Sequence, residues 1–148
     1  MALAALLSGI TLSNVGLGAV HGFAAPLGAN LPVPHGTVCA ALLPHVMAAN
    51  VEALMADSPA HPWLERYATI GRALTGQDHL PGTLAIDAGL RHVFDLVDRL
   101  RIPRLRDFGL TPERIPELVS LARQASSMRY NPVALSDESL CDILEKAM

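Results

Sequence analysis

Residues Asn14 to Asn50 read NVGLGAVHGFAAPLGANLPVPHGTVCAALLPHVMAAN, without a single aspartate, glutamate, lysine or arginine. A helix built from this stretch is small or apolar on every face, which marks helices packed among other elements rather than laid on a surface. Turn-forming residues divide it. Gly16 and Gly18 interrupt the helical spacing carried upstream by Leu3, Leu6, Leu7 and Ile10, and a second helix is expected around Val20 to Leu27. Pro26, Gly28, Pro32 and Pro34 then fall close together, which predicts a loop over Pro26 to Pro34. Val38 to Met55 resumes as a long apolar helix, kinked where Pro44 removes a backbone donor.

Downstream of Asp57-Ser58-Pro59 the pattern becomes that of amphipathic surface helices. Trp63 to Leu74 is closed by Gly76, and Thr83 to Leu100 carries Ile86, Leu90, Val93, Val97 and Leu100 on one stripe. Arg101 to Gly109 reads as a turn-rich connection. Thr111-Pro112 offers an N-cap and a first-turn proline for a helix through about Ala125. Asn131-Pro132 is extended, and Ser136 with Asp137 and Glu138 caps a last helix through Lys146. No strand signal, repeat or low-complexity segment interrupts this, so the fold class expected is all-α, a helical bundle forming one domain over residues 1–148.

The 148 residues, 51% apolar and 17% charged, suffice for a domain with its own core. Fourteen acids against eleven bases, net −3, leave no basic surface for a phosphate backbone, and nucleic-acid binding is excluded as a function class. Cys39 and Cys141 form neither a close ligand pair nor a disulfide framework, and read as small buried side chains in a reducing compartment, the cytoplasm. The charge-free start, Met1 to Val51, lacks a basic flank and is broken by Ser8, Asn14, Gly16, Gly18 and His21. It therefore reads as helices covered by protein rather than by lipid.

Histidines are the most informative polar residues. His21 and His35 lie fourteen residues apart across the Pro-rich segment, in surroundings so apolar that both ring nitrogens need partners. A backbone hydrogen bond satisfies that need, and so does a metal on one nitrogen with a carbonyl or carboxylate on the other; spacing alone does not decide between them. His45 follows Pro44 and fits a core or supporting position, with a back-filling ligand as the sharper alternative. His61, His79 and His92 read as surface residues. Asp57, Asp78 and Asp87 fit caps, turns or solvated faces, and Arg101, Arg104 and Arg106 beside Asp98 and Asp107 fit a solvated face too.

The surrounding words go further. The small-residue stretch ending in His21, followed by a loop and the Pro34-His35-Gly36 element, resembles the signature region of the iron-containing alcohol dehydrogenase family. The segment Ser126-Ser127-Met128-Arg129-Tyr130-Asn131-Pro132, with Leu135-Ser136-Asp137-Glu138 after it, resembles that family's end, in the same order. The likeness extends from Met1 to Met148 and implies the C-terminal, helical, metal-binding half of such an enzyme.

In that family an aspartate and three histidines hold a catalytic divalent metal; for this chain the resemblance implies iron, with zinc as the alternative. The resemblance places two of the ligands at His21 and His35. It puts the other two, and the glycine-rich domain that binds the nicotinamide, upstream of Met1. It also matches Ala25 to a position where many relatives carry a further histidine. The implied chemistry is polarisation of a small alcohol or aldehyde at the metal, with NAD(P) engaged only if a complementing N-terminal domain is supplied. Taken alone, such a chain is expected to be a poor catalyst, with no catalytic or nicotinamide-contacting residue of its own. The alternative is a non-catalytic helical partner protein that keeps the fold. Either way the uncharged N-terminal helices are expected to drive homo-oligomer formation.

Overall fold

The computed structural model describes residues 2–148, with Leu12 and Ser13 described by backbone alone. Seven α-helices and three short 3-10 turns make up the described residues, and there is no strand among them. The helices are α1 (Ala2–Val15), α2 (Ala19–Asn30), α3 (His35–Asp57), α4 (Pro62–Thr75), α5 (Gly82–Arg99), α6 (Ile115–Gln124) and α7 (Asp137–Lys146). The all-α expectation holds.

The 23-residue α3 is the spine. Its first half gives Val38, Ala41, Leu42 and Val46 to a core built with α2, α6 and α7, in which Phe23, Leu27, Leu105, Leu118, Leu140 and Leu144 are fully buried. Its second half gives Val51 and Leu54 to a smaller core with Leu64 and Ala68 of α4 and Ala85 and Ile86 of α5. By length and composition alone α3 is apolar enough to cross a membrane. Here eight of its residues are buried against protein instead.

Pro26 requires a correction. The loop expected over Pro26 to Pro34 shrinks to residues 31–34, because α2 continues through Pro26 to Asn30. An interior proline costs about 3 kcal/mol in lost hydrogen bonding and ring clash, while fully burying Phe23 and Leu27 returns roughly 1.5–3 kcal/mol each. Packing wins. Helix α3 starts at His35 rather than Val38, its first turn closed by the Thr37 and Val38 amides donating to the Pro34 carbonyl. Asn131 is extended as expected, at φ −63 and ψ 140, and a 3-10 turn, Ser126–Tyr130, for which the sequence carries no signal, precedes it. The helix expected from Thr111-Pro112 begins later: Pro112–Arg114 is a 3-10 turn without a side-chain cap from Thr111, and α6 starts at Ile115. Elsewhere Gly76 closes α4 in the left-handed region at φ 68, and Ser136 Oγ accepts from the Ser139 amide to cap α7.

Two segments far apart in sequence meet on α2. Glycines 16, 18 and 22 form a trough occupied by the 3-10 turn and its exit. A Cβ at Gly16 would lie 2.6 Å from the Tyr130 ring, one at Gly18 2.9 Å from Asn131 Oδ1, and one at Gly22 2.8 Å from Met128 Cε. Asn131 then fastens the start of α2. Its Oδ1 accepts from the Ala19 amide at 3.0 Å, and its Nδ2 donates to Asn50 Oδ1 at 2.6 Å and to the Val133 carbonyl at 2.8 Å. Asn50, buried on α3, donates in return to Asn131 Oδ1 and to the Tyr67 hydroxyl. At the other end of α2, Arg114 donates to the carbonyl and side-chain oxygens of Asn30. The helix that carries His21 is thus held at both ends.

Candidate metal centre

His21 stands in the first turn of α2, two residues beyond the Ala19 amide that Asn131 accepts from. His35 is the first residue of α3, and Cys39 follows one helical turn later on the same face. The short link of residues 31–34 folds α3 back against α2 and brings the three together. The imidazole centroids lie 5.4 Å apart and are tilted by 52°. Cys39 Sγ lies 3.5 Å from His35 Nε2 and 3.8 Å from His21 Nε2. One donor atom from each of the three falls within 4.8 Å of the others, and among the described residues this is the group of three arranged to hold a metal ion.

Burial, and then repulsion from a charged His35, hold the His21 imidazole below its ordinary pKa, so its ring keeps a lone pair free at neutral pH. Burial likewise pushes the Cys39 thiol up. His21 and Cys39 are half-buried and His35 is exposed. The donor set is one that divalent metals take: neutral imidazole nitrogen and thiol sulfur, fixed on two helices rather than on loops.

The other candidates lie elsewhere. His45 packs edge-on against Phe94 at 5.2 Å and does not join the cluster, so the back-filling alternative is not what the fold provides. Its pKa is lowered by burial, then by Lys146 and Arg104, with Asp142 acting the other way. His61 caps α4, its Nδ1 accepting from the Trp63 amide at 3.2 Å, with Asp57 4.0 Å from its Nε2. His79, Asp78 and Asp87 are exposed and His92 is half-buried. Arg101, Arg104 and Arg106 lie on an exposed face, where the Arg104 amide donates to Asp107. Ala25 is exposed on α2. A cleft of about 390 Å³ between α4 and α5, lined by His61, Glu65, Thr83 and Ile86 among others, shares no residue with the cluster.

Cys39 is the residue that sequence reasoning passed over. Both cysteines are free thiols, as expected, but stand at intermediate exposure rather than buried. The signal that was present is the four-residue step from His35, which on a helix makes neighbours. The eighteen residues back to His21 carry no such signal.

The family model described as "Fe-containing alcohol dehydrogenase family, C-terminal" matches residues 1–148. Lactaldehyde reductase of Escherichia coli K12 is 37% identical over 149 residues, covering 99% of this chain and 37% of the relative. The 1,3-propanediol dehydrogenase of Citrobacter freundii is 30% identical over 149 residues, covering 99% and 36%. The chain therefore spans a little over a third of these relatives' length. Among solved structures, a 1,3-propanediol oxidoreductase superposes with a TM-score of 0.83 at 29% identity, covering 98% of this chain and 36% of that one. An alcohol dehydrogenase from Oenococcus oeni gives 0.81 at 29% identity, covering 96% and 35%. With the family's model matched from end to end and its fold reproduced, this chain belongs to the iron-containing alcohol dehydrogenase family, of which it is the C-terminal, all-helical part.

Proposed function

We propose that this chain supplies the metal-holding helical part of an NAD(P)-dependent alcohol dehydrogenase, with His21 and His35 as ligands to a divalent ion, iron or zinc. The observation that carries the reading is the meeting of the two histidines. Residues fourteen apart, on different helices, present Nε2 atoms to one and the same sulfur at 3.5 and 3.8 Å. A bound divalent ion supplies Lewis acidity toward an alcohol or carbonyl oxygen. The chain's own part is to fix the two imidazoles. Neutral His21 donates a lone pair at physiological pH, and the Asn131 clasp sets where its helix begins.

Relatives named for lactaldehyde, choline and 1,3-propanediol support a small alcohol or aldehyde as substrate. Nicotinamide binding is assigned to the part of the enzyme outside these 148 residues, which by themselves have little redox activity. Two free thiols suit a reducing compartment, the cytoplasm. Leu3, Leu6, Leu7 and Ile10, each more than half exposed on α1, favour association with a second copy or with that domain.

The test is elemental analysis of protein purified without a histidine tag, beside a His21→Ala/His35→Ala double variant. Near-stoichiometric iron or zinc that disappears in the variant is the expected result. Metal-free wild-type protein after incubation with either ion, or a variant that retains it, would sink the proposal.

A further inference from the structure

The two histidines do not stand alone, and the third member of their cluster differs from them in chemistry. We propose that Cys39 Sγ is a metal ligand, making this chain's contribution to the site two imidazoles and one thiolate. The inference rests on the reading of His21 and His35 as ligands and extends it to a residue that reading does not need.

The argument is geometric. Zinc sits about 2.3 Å from a thiolate sulfur and about 2.0–2.1 Å from an imidazole nitrogen, so sulfur and nitrogen on one tetrahedral ion are separated by about 3.6 Å. The observed separations from Cys39 Sγ, 3.5 Å to His35 Nε2 and 3.8 Å to His21 Nε2, bracket that value. Both contacts involve the same nitrogen of each ring, and one donor atom from each of the three residues lies within 4.8 Å of the others. The framework is also firm: His35 and Cys39 share one face of α3, and α2 is fastened at both ends.

Binding forms one sulfur–metal bond and breaks one S–H bond, with the proton passing to solvent and nothing oxidised or reduced. The consequence is a shift in metal preference. Thiolate is a soft donor, and adding it to two imidazoles favours zinc and cobalt over ferrous iron and disfavours magnesium and manganese. Cys39 is then a specificity-determining ligand for the metal.

Cobalt(II) reports this directly, because thiolate ligation gives an intense near-ultraviolet charge-transfer band that imidazole ligation lacks. The 148-residue chain is titrated with cobalt chloride under a phosphine reductant, alongside Cys39→Ser, Cys39→Ala, Cys141→Ser and the His21→Ala/His35→Ala variant. The charge-transfer band should appear in wild type and in Cys141→Ser and vanish in both Cys39 variants. Zinc affinity in Cys39→Ser should fall at least about tenfold, as much as loss of a supporting contact alone would cost. Visible cobalt bands that depend on the histidines, with no charge-transfer band in wild type, would overturn the ligand role of Cys39 and leave the two-histidine reading standing. A band that persists in Cys39→Ser overturns it as well. If wild-type protein binds no cobalt, both readings fail together.

Discussion

Asn131 illustrates how much one side chain can carry. Replacing it with alanine strips an acceptor from the Ala19 amide and a partner from buried Asn50, and unsatisfied buried groups cost about 1–3 kcal/mol each. Asn131→Ala should therefore lower unfolding free energy by about 2–4 kcal/mol in urea titrations. Because the lost contact lies two residues before His21, metal affinity should fall too. Unchanged stability would show the amide pair to be dispensable. His45 offers a test of sign. Its pKa in the fold lies below the ordinary imidazole value of about 6.5, so the unfolded chain binds the proton more readily. Stability from this residue is present above pH 6.5 and is lost as pH falls from there through the lowered folded value. Urea midpoints at pH 5 and pH 7 should differ less in His45→Gln than in wild type; equal slopes would refute the assignment. His21 acts in the same direction, so a residual slope is expected. At this scale the approach of His21 to His35 was legible only through the family resemblance of the segments around them. It was mute for Cys39, whose partner on α2 is set by how two helices fold together and by nothing in their spacing.

Among the elements, the crossing of α4 and α5 depends on two glycines. A Cβ on Gly71 would overlap the Ala85 carbonyl, and one on Gly89 would lie 2.6 Å from Gly71 Cα. Backbone lies on both sides, so nothing flexible can yield. Gly71→Ala gains about 0.5–1 kcal/mol of helix propensity but forces the helices apart at about 1–3 kcal/mol or more. Net destabilisation is expected. Gly28, inside α2 with open space where its Cβ would stand, should respond in the opposite sense and gain about 0.5–1 kcal/mol as alanine. Thermal denaturation of both variants settles the pair, and the same sign for both would contradict the packing described here. Of the amphipathic helices, α4, α5 and α7 could be placed from periodicity and caps to within a residue or two, while α6 opens three residues after the expected Pro112. Pro26 misled because local backbone cost was weighed without the burial that outbids it, and burial is a property of the assembled molecule.

For the whole molecule, the strongest expectation concerns association. Leu3, Leu6, Leu7 and Ile10 leave an apolar stripe on α1 facing solvent, and such faces are ordinarily covered by a partner. Replacing Leu3, Leu7 and Ile10 by glutamine should shift the mass measured by light scattering at micromolar concentration from oligomer toward monomer. A wild-type monomer at that concentration would remove the case for self-association. All-helical architecture could be read from the sequence because every segment agreed on one period. That the His21 region and the Ser126–Pro132 region form one structural unit could not, since more than a hundred residues separate them and the glycine trough and Asn131 clasp that join them leave no trace in local spacing.

Helix α3 belongs to both hydrophobic cores at once, and that shared membership governs how the molecule comes apart. The helix runs from His35 to Asp57 with Pro44 inside it, so melting either half removes a packing surface from the core that the other half helps to build. The two cores should accordingly behave as one cooperative unit, with amide protons from Val38 to Leu54 exchanging only when the whole chain opens. Native-state hydrogen exchange would show this as a single opening free energy along α3, whereas two distinct values on either side of Pro44 would mark two separable folding units.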